Sequence, residues 1–167
     1  MVNNFIKPYV VKNFIDTQLF NWEEFEILKK DLSKKNIELI ENGERIVYAD
    51  NLDKNLDDYS LVFTGCRDAK KEFHTLHDFF KLKVPTLSED WDAHIYTGHT
   101  DKPTSFKMHF DMADNFILQC AGKSRFFVPN YFDVIVEPGD LSWVPRYVPH
   151  VMVPLGRRLS ISFPHFD

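Results

Sequence analysis

The sequence predicts a mainly β protein with flanking helices, its strands wound into a jelly-roll, or double-stranded β-helix, barrel. Three observations carry that reading. From Trp91 onward, eight short apolar or alternating runs follow one another at close spacing. Turn formers separate them, chiefly Pro129-Asn130, Pro138-Gly139-Asp140 and Leu155-Gly156. Aromatic residues make up 15% of the chain, 16 of them Phe, and aromatics favour strands and fill barrel interiors.

The eight expected strands are 93–96, 106–110, 115–120, 125–128, 133–136, 141–144, 150–153 and 159–163. Upstream, Pro8-Tyr9-Val10-Val11 is a short extended run. Asp16-Thr17 offers a helix N-cap, and Trp22, Phe25, Leu28 and Leu32 recur at helical steps, which predicts an amphipathic helix over 17–35. Ile37–Ile40 and Arg45–Tyr48 flank Asn42-Gly43, a hairpin signal. Residues 50–60 are acidic and turn-rich and read as loop. A second helix is expected over 70–80, with Phe73, Leu76 and Phe80 on one face. Its His74 and His77 stand at i,i+3, a spacing that can bind metal but more often belongs to two exposed helix histidines. No composition shift marks a boundary, so residues 1–167 are expected to form a single domain. In it, 1–90 support a barrel of 91–167, since the helices cannot bury their apolar faces alone.

Composition narrows the function classes. At 167 residues, 44% hydrophobic and 27% charged, the chain can bury a sizeable core and is not disordered throughout. A net charge of -5 argues against general nucleic-acid binding. No apolar run approaches the ~20 residues of a membrane helix, and Met1–Pro8 has one lysine and no small-residue cleavage site. Cys66 and Cys120 are too few for a disulfide scaffold, and neither sits in a CxxC pattern. A cytoplasmic protein is the expectation.

Two places combine ligand chemistry with strand context. In His109-Phe110-Asp111, i and i+2 share a strand face, so an imidazole and a carboxylate would project together. The run from Pro138 to His150 (PGDLSWVPRYVPH) reads as turn, strand, proline-bounded turn, and a histidine opening the next strand. Two His and one carboxylate on one face form a facial triad that leaves open positions, an arrangement suited to non-haem Fe(II). A structural zinc site would close with four protein ligands.

The stretch from His109 to Val128 (HFDMADNFILQCAGKSRFFV) resembles the cupin-like, JmjC-type branch of Fe(II)- and 2-oxoglutarate-dependent oxygenases. So does the Pro138–His150 run, which also follows the second cupin motif except that Tyr147 stands where that motif prefers glycine. Pro8–Ile15 resembles the opening strand of the same family. The match is good over 93–163 and general in layout over 16–90.

The resemblance implies that His109, Asp111 and His150 are the iron ligands. Asn115 matches an asparagine that contacts the co-substrate in the asparaginyl-hydroxylase branch. The family usually anchors the distal carboxylate of 2-oxoglutarate with Lys or Arg where this chain has Ser124. Three cations could replace it. Arg158, opening Arg158-Leu159-Ser160, resembles the Arg-x-Ser pattern of other branches and ranks first, with Ser160 on the same face. Lys123 and Arg125, beside the Gly122 turn, follow. Tyr96 is the candidate for the hydroxyl that the family places near this carboxylate. The implied reaction couples oxidative decarboxylation of 2-oxoglutarate to succinate with hydroxylation of a protein side chain or a small molecule. With Asp167 as its last residue, the sequence is not expected to carry the C-terminal helical extension of many protein hydroxylases of the branch. Substitution at 124 leaves open a different class, a non-oxygenase metal-binding cupin acting as an isomerase or a small-molecule sensor. An inactive, partner-binding scaffold is a third.

Overall fold

The computed structural model describes residues 7–15, 19–31, 37–47, 59–98 and 105–166. In chain order the elements are β1 (Tyr9–Val11), α1 (Trp22–Asp31), β2 (Ile37–Glu41), β3 (Glu44–Val47), β4 (Ser60–Phe63), α2 (Lys71–Lys83), β5 (Asp90–Trp91), β6 (His94–Gly98), β7 (Asp114–Ala121), β8 (Ser124–Val128), β9 (Phe132–Val136), β10 (Leu141–Val144), β11 (Val151–Pro154) and β12 (Arg158–Phe166).

Alternation along β12 explains the layering. Leu159, Ile161 and Phe163 join the main apolar cluster, whereas Arg158, Ser160 and Ser162 fall on the opposite face. Arg158–His165 is buried throughout, as a central strand covered on both faces must be. It pairs antiparallel with β6 on one side and β7 on the other. The large sheet runs β1-β10-β7-β12-β6-β4-β2-β3, with β5 on the end of β12, and a smaller sheet runs β11-β8-β9. β6, β12, β7 and β10 face β11, β8 and β9, which is the arrangement of a double-stranded β-helix. Phe126, Val128, Val136 and Val144 form a second apolar cluster, joined by Ile117 of the large sheet and Met152 of the small one.

Both helices cover the outer face of the large sheet. Phe80 of α2 stacks on Phe116 of β7 at 4.0 Å between ring centroids, and Phe73 meets Phe163 of β12 edge-on. Phe25 of α1 packs edge-on against Phe63 of β4. Sequence periodicity placed these faces well but not their ends. Helix α1 starts at Trp22 because Asn21 and Glu24 form a reciprocal cap: Glu24 N–H donates to Asn21 Oδ1 (2.9 Å) and Asn21 N–H to Glu24 Oε2 (3.0 Å). The cap expected at Asp16-Thr17 lies outside the described residues. Asn42 and Gly43 take φ of 53° and 83°, both left-handed, as a two-residue hairpin turn between twisted strands requires.

Two expectations need correcting. Phe106–Phe110 is not a strand; His109 alone bridges to His150. Met108 and Phe110 are exposed, so their alternation with Lys107 and His109 does not mark a buried strand face. The loop expected over 50–60 falls mostly outside the described residues, and from Ser60 the chain is already β4, wholly buried between β2 and β6. The strip Ser60–Phe63 is too short to show a period of its own.

Gly122 closes the β7–β8 turn at φ 66°, and a Cβ there would sit 2.0 Å from the Arg157 carbonyl oxygen. Gly122→Ala combines left-handed strain of about 1–2 kcal/mol with overpacking of about 1–3 kcal/mol. The expected loss of about 2–5 kcal/mol in unfolding free energy is read as a lower denaturant midpoint.

Candidate metal centre and anion cavity

His109 and His150 meet because their backbones pair. His109 N–H donates to His150 O (3.1 Å) and His150 N–H to His109 O (2.7 Å). Directly opposed residues of an antiparallel pair project from the same face. Tyr147 N–H then donates to Asp111 O (2.8 Å), which seats the carboxylate beside the two imidazoles. Tyr147 does this at φ 63°. An L-residue there carries about 1–2 kcal/mol of strain, which accounts for the glycine preferred at this position of the cupin motif. Arg146 forks onto Asp114 (2.7 and 3.2 Å) and pins the same turn to the start of β7.

One ligand atom from each of His109, Asp111 and His150 lies within 4.8 Å of the others. His109 Nε2 is 3.8 Å from Asp111 Oδ1, and His150 Nε2 is 3.6 Å from Asp111 Oδ2. The other ring nitrogens, Nδ1 of both histidines, face the carbonyls of Lys107 (2.8 Å) and Val148 (2.9 Å). A donated Nδ1–H fixes the tautomer and leaves Nε2 with its lone pair toward the carboxylate. Burial lowers the pKa of His150, favouring the neutral form a metal needs. Asn115 donates from Nδ2 to Asp111 Oδ2 (2.9 Å) and accepts from Ser162 Oγ (2.5 Å), so it orients the carboxylate. Three donors with no fourth His, Cys, Asp or Glu among the described residues match a facial site that keeps positions open.

These three residues share a cavity with Tyr96, Phe106, Asn115, Ile117, Met152, Arg158, Ser160 and Ser162. Arg158 is 3% exposed, and no carboxylate pairs with it among the described residues. Its Nε and the Ser160 hydroxyl are both buried without a hydrogen-bond partner. Burial pushes the Arg158 pKa down to about 10, which still leaves it charged at neutral pH. Gly98 stands opposite it on β6, where a Cβ would make only ordinary van der Waals contact with Arg158 Cγ, at 3.7 Å. Buried polar groups are ordinarily satisfied, so these two donors could receive an anionic ligand entering the cavity.

The other candidate cations are elsewhere. Lys123 Nζ pairs with Glu137 at 2.6 Å, and Arg125 is bidentate to Asp133 at 2.8 and 2.5 Å. Both are more than half exposed, outside the cavity lining. Ser124 is buried and bonded to Gln119 Oε1. The other histidine pair also resolves differently from its sequence reading. His74 binds Asp68, but His77 is buried, stacked on Trp91 at 4.5 Å and 3.1 Å from His165 Nε2. Its partners come from β5 and β12, which helix spacing cannot reveal. Ser162 and Phe106 were missed as lining residues. The alternation Arg158-x-Ser160-x-Ser162 was a readable sign for the first.

No protein-family model and no curated protein matches the sequence. Solved structures do. The ribosomal oxygenase YcfD of Escherichia coli, in complex with cobalt and succinic acid, aligns with a TM-score of 0.73 at 18% identity, over 96% of this chain and 48% of that one. Its complex with cobalt and 2-oxoglutarate gives 0.72 at 18% identity with the same coverage. A further structure of that protein gives 0.72 at 20% identity, also over 96% of this chain and 48% of that one. The chain thus spans about half the length of the structures it matches. Within that span, it shares the double-stranded β-helix fold of those structures.

Proposed function

We propose that the chain is an Fe(II)- and 2-oxoglutarate-dependent oxygenase, a hydroxylase acting on a protein side chain or a small molecule. The observation that carries this reading is the sharing of one cavity by the His109–Asp111–His150 group and a buried arginine without an anionic partner among the described residues. Iron held there would supply oxygen activation for C–H hydroxylation. The chain's own part is placement. His109 and His150 would ligate through Nε2 and Asp111 through its carboxylate, held in orientation by the Lys107 and Val148 carbonyls and by Asn115. Arg158 would take the distal carboxylate of 2-oxoglutarate, a bidentate partner for a carboxylate, with Ser160 and Tyr96 adding hydroxyl donors. A solved structure of the same fold holds cobalt and 2-oxoglutarate, which supports the assignment. The non-oxygenase cupin drew its support from Ser124, and Arg158 supplies a cation from another strand.

The test is turnover. Protein loaded with Fe(II) is expected to convert 2-oxoglutarate to succinate in air, with uncoupled turnover sufficing where the substrate is unidentified. Absence of both turnover and 2-oxoglutarate binding would favour the metal-binding cupin.

A further inference from the structure

Arg45 sits on β3, far from the metal group in sequence but on the cavity face of the sheet. Arg45, Ile40, Ser60, Gly98 and Arg158 stand opposite one another across β3, β2, β4, β6 and β12. The neighbouring row contains Glu38, Val62, Tyr96 and Ser160. The curl of the sheet brings Arg45 Nη2 to 3.3 Å from Tyr96 Oη, to which it donates. Its Nη1 is 3.2 Å from Glu38 Oε2. The guanidinium also lies over the Phe106 ring, 5.1 Å from its centroid, and Phe106 meets His109 at 5.2 Å. Three contacts therefore fix one side chain.

A guanidinium has no acceptor. A phenol that accepts from it must send its own O–H elsewhere. No described residue accepts that hydrogen, and Tyr96 lines the cavity of Arg158 and Ser160, with the Arg158 guanidinium carbon 5.8 Å from its ring centroid. We propose that Arg45 is a positioning residue for co-substrate binding: it holds Tyr96 from outside so that the phenolic O–H is presented to the carboxylate bound by Arg158 and Ser160. The proposal rests on the oxygenase reading above. It makes the β2–β3 hairpin, the edge of the large sheet, part of the co-substrate site.

The experiment is a double-mutant cycle read by calorimetric titration of 2-oxoglutarate into Mn(II)-loaded protein, without turnover. Arg45→Met is expected to weaken 2-oxoglutarate about 5- to 20-fold with Mn(II) affinity intact, at or just below the low end of what one hydrogen bond to a charged group contributes. Arg45→Lys should recover part of the loss, and in turnover the effect should fall on KM for 2-oxoglutarate rather than on kcat. In the Tyr96→Phe background, which has no hydroxyl to orient, Arg45→Met should change affinity less than 2-fold. An equal loss in both backgrounds, or no loss in the first, would overturn the role of Arg45 while leaving the oxygenase reading standing. Wild-type protein that binds Mn(II) but not 2-oxoglutarate would overturn both. Should Arg45→Met fold poorly because Glu38 loses its counter-charge, the cycle is run in a Glu38→Gln background.

Discussion

Asp111→Ala is expected to weaken Fe(II) or Mn(II) binding by more than about 100-fold and to leave the protein folded. Loss of a supporting partner alone typically costs 10- to 100-fold, and here a ligand itself goes. The fold should survive because the backbone part played by Asp111 is untouched: its carbonyl still accepts from Tyr147 N–H. Its carboxylate is 29% exposed, so truncation leaves no sealed cavity in the core. Asp111→Glu should also impair the site, since the added methylene moves the oxygens relative to two histidines fixed by their own backbone bridge. Titration calorimetry with Mn(II), together with a thermal melt, reads both halves of the expectation. Unchanged metal stoichiometry in Asp111→Ala would remove the assignment.

Arg158→Met is expected to have effects of opposite sign on ligand binding and on stability. Leaving one charge of a buried pair alone costs roughly 3–5 kcal/mol. At 1.4 kcal/mol per tenfold, KM for 2-oxoglutarate should rise by about two to three and a half orders of magnitude. The ligand-free protein should be no less stable, and up to about 4 kcal/mol more so, because a buried cation without an anionic partner among the described residues is exchanged for an apolar chain of similar volume. Lys123→Met and Arg125→Met remove only exposed ion pairs with Glu137 and Asp133. Those should change KM little and stability by about 1 kcal/mol or less. A variant of Arg158 that unfolds, or that binds 2-oxoglutarate normally, contradicts this account.

How much of this was legible in the sequence differs from residue to residue. Strand periodicity placed Arg158 and Ser160 on one face, and the fold puts both at the cavity. The same local pattern could not separate Arg158 from Lys123 and Arg125. Their difference is tertiary: Asp133 and Glu137 on β9 and its following turn draw the latter two outward. The approach of Asp111 to the histidines was inferred from a strand that the structure lacks. What brings them together is one bridge and the Tyr147 bond to Asp111, neither of which has a periodic signature. Tyr147 also shows why a motif mismatch need not change a fold, since tyrosine takes the left-handed position at an energetic cost. Arg45 was unreadable as a site residue because its contact with Tyr96 spans 51 positions and depends on the curl of the sheet.

The most direct measurement is anaerobic Fe(II) titration with and without 2-oxoglutarate, followed in the visible range. The account predicts a weak charge-transfer band that requires both components, is absent in Asp111→Ala, and needs far more 2-oxoglutarate in Arg158→Met. Fe(II) bound stoichiometrically by wild-type protein with no band and no affinity for 2-oxoglutarate would contradict it.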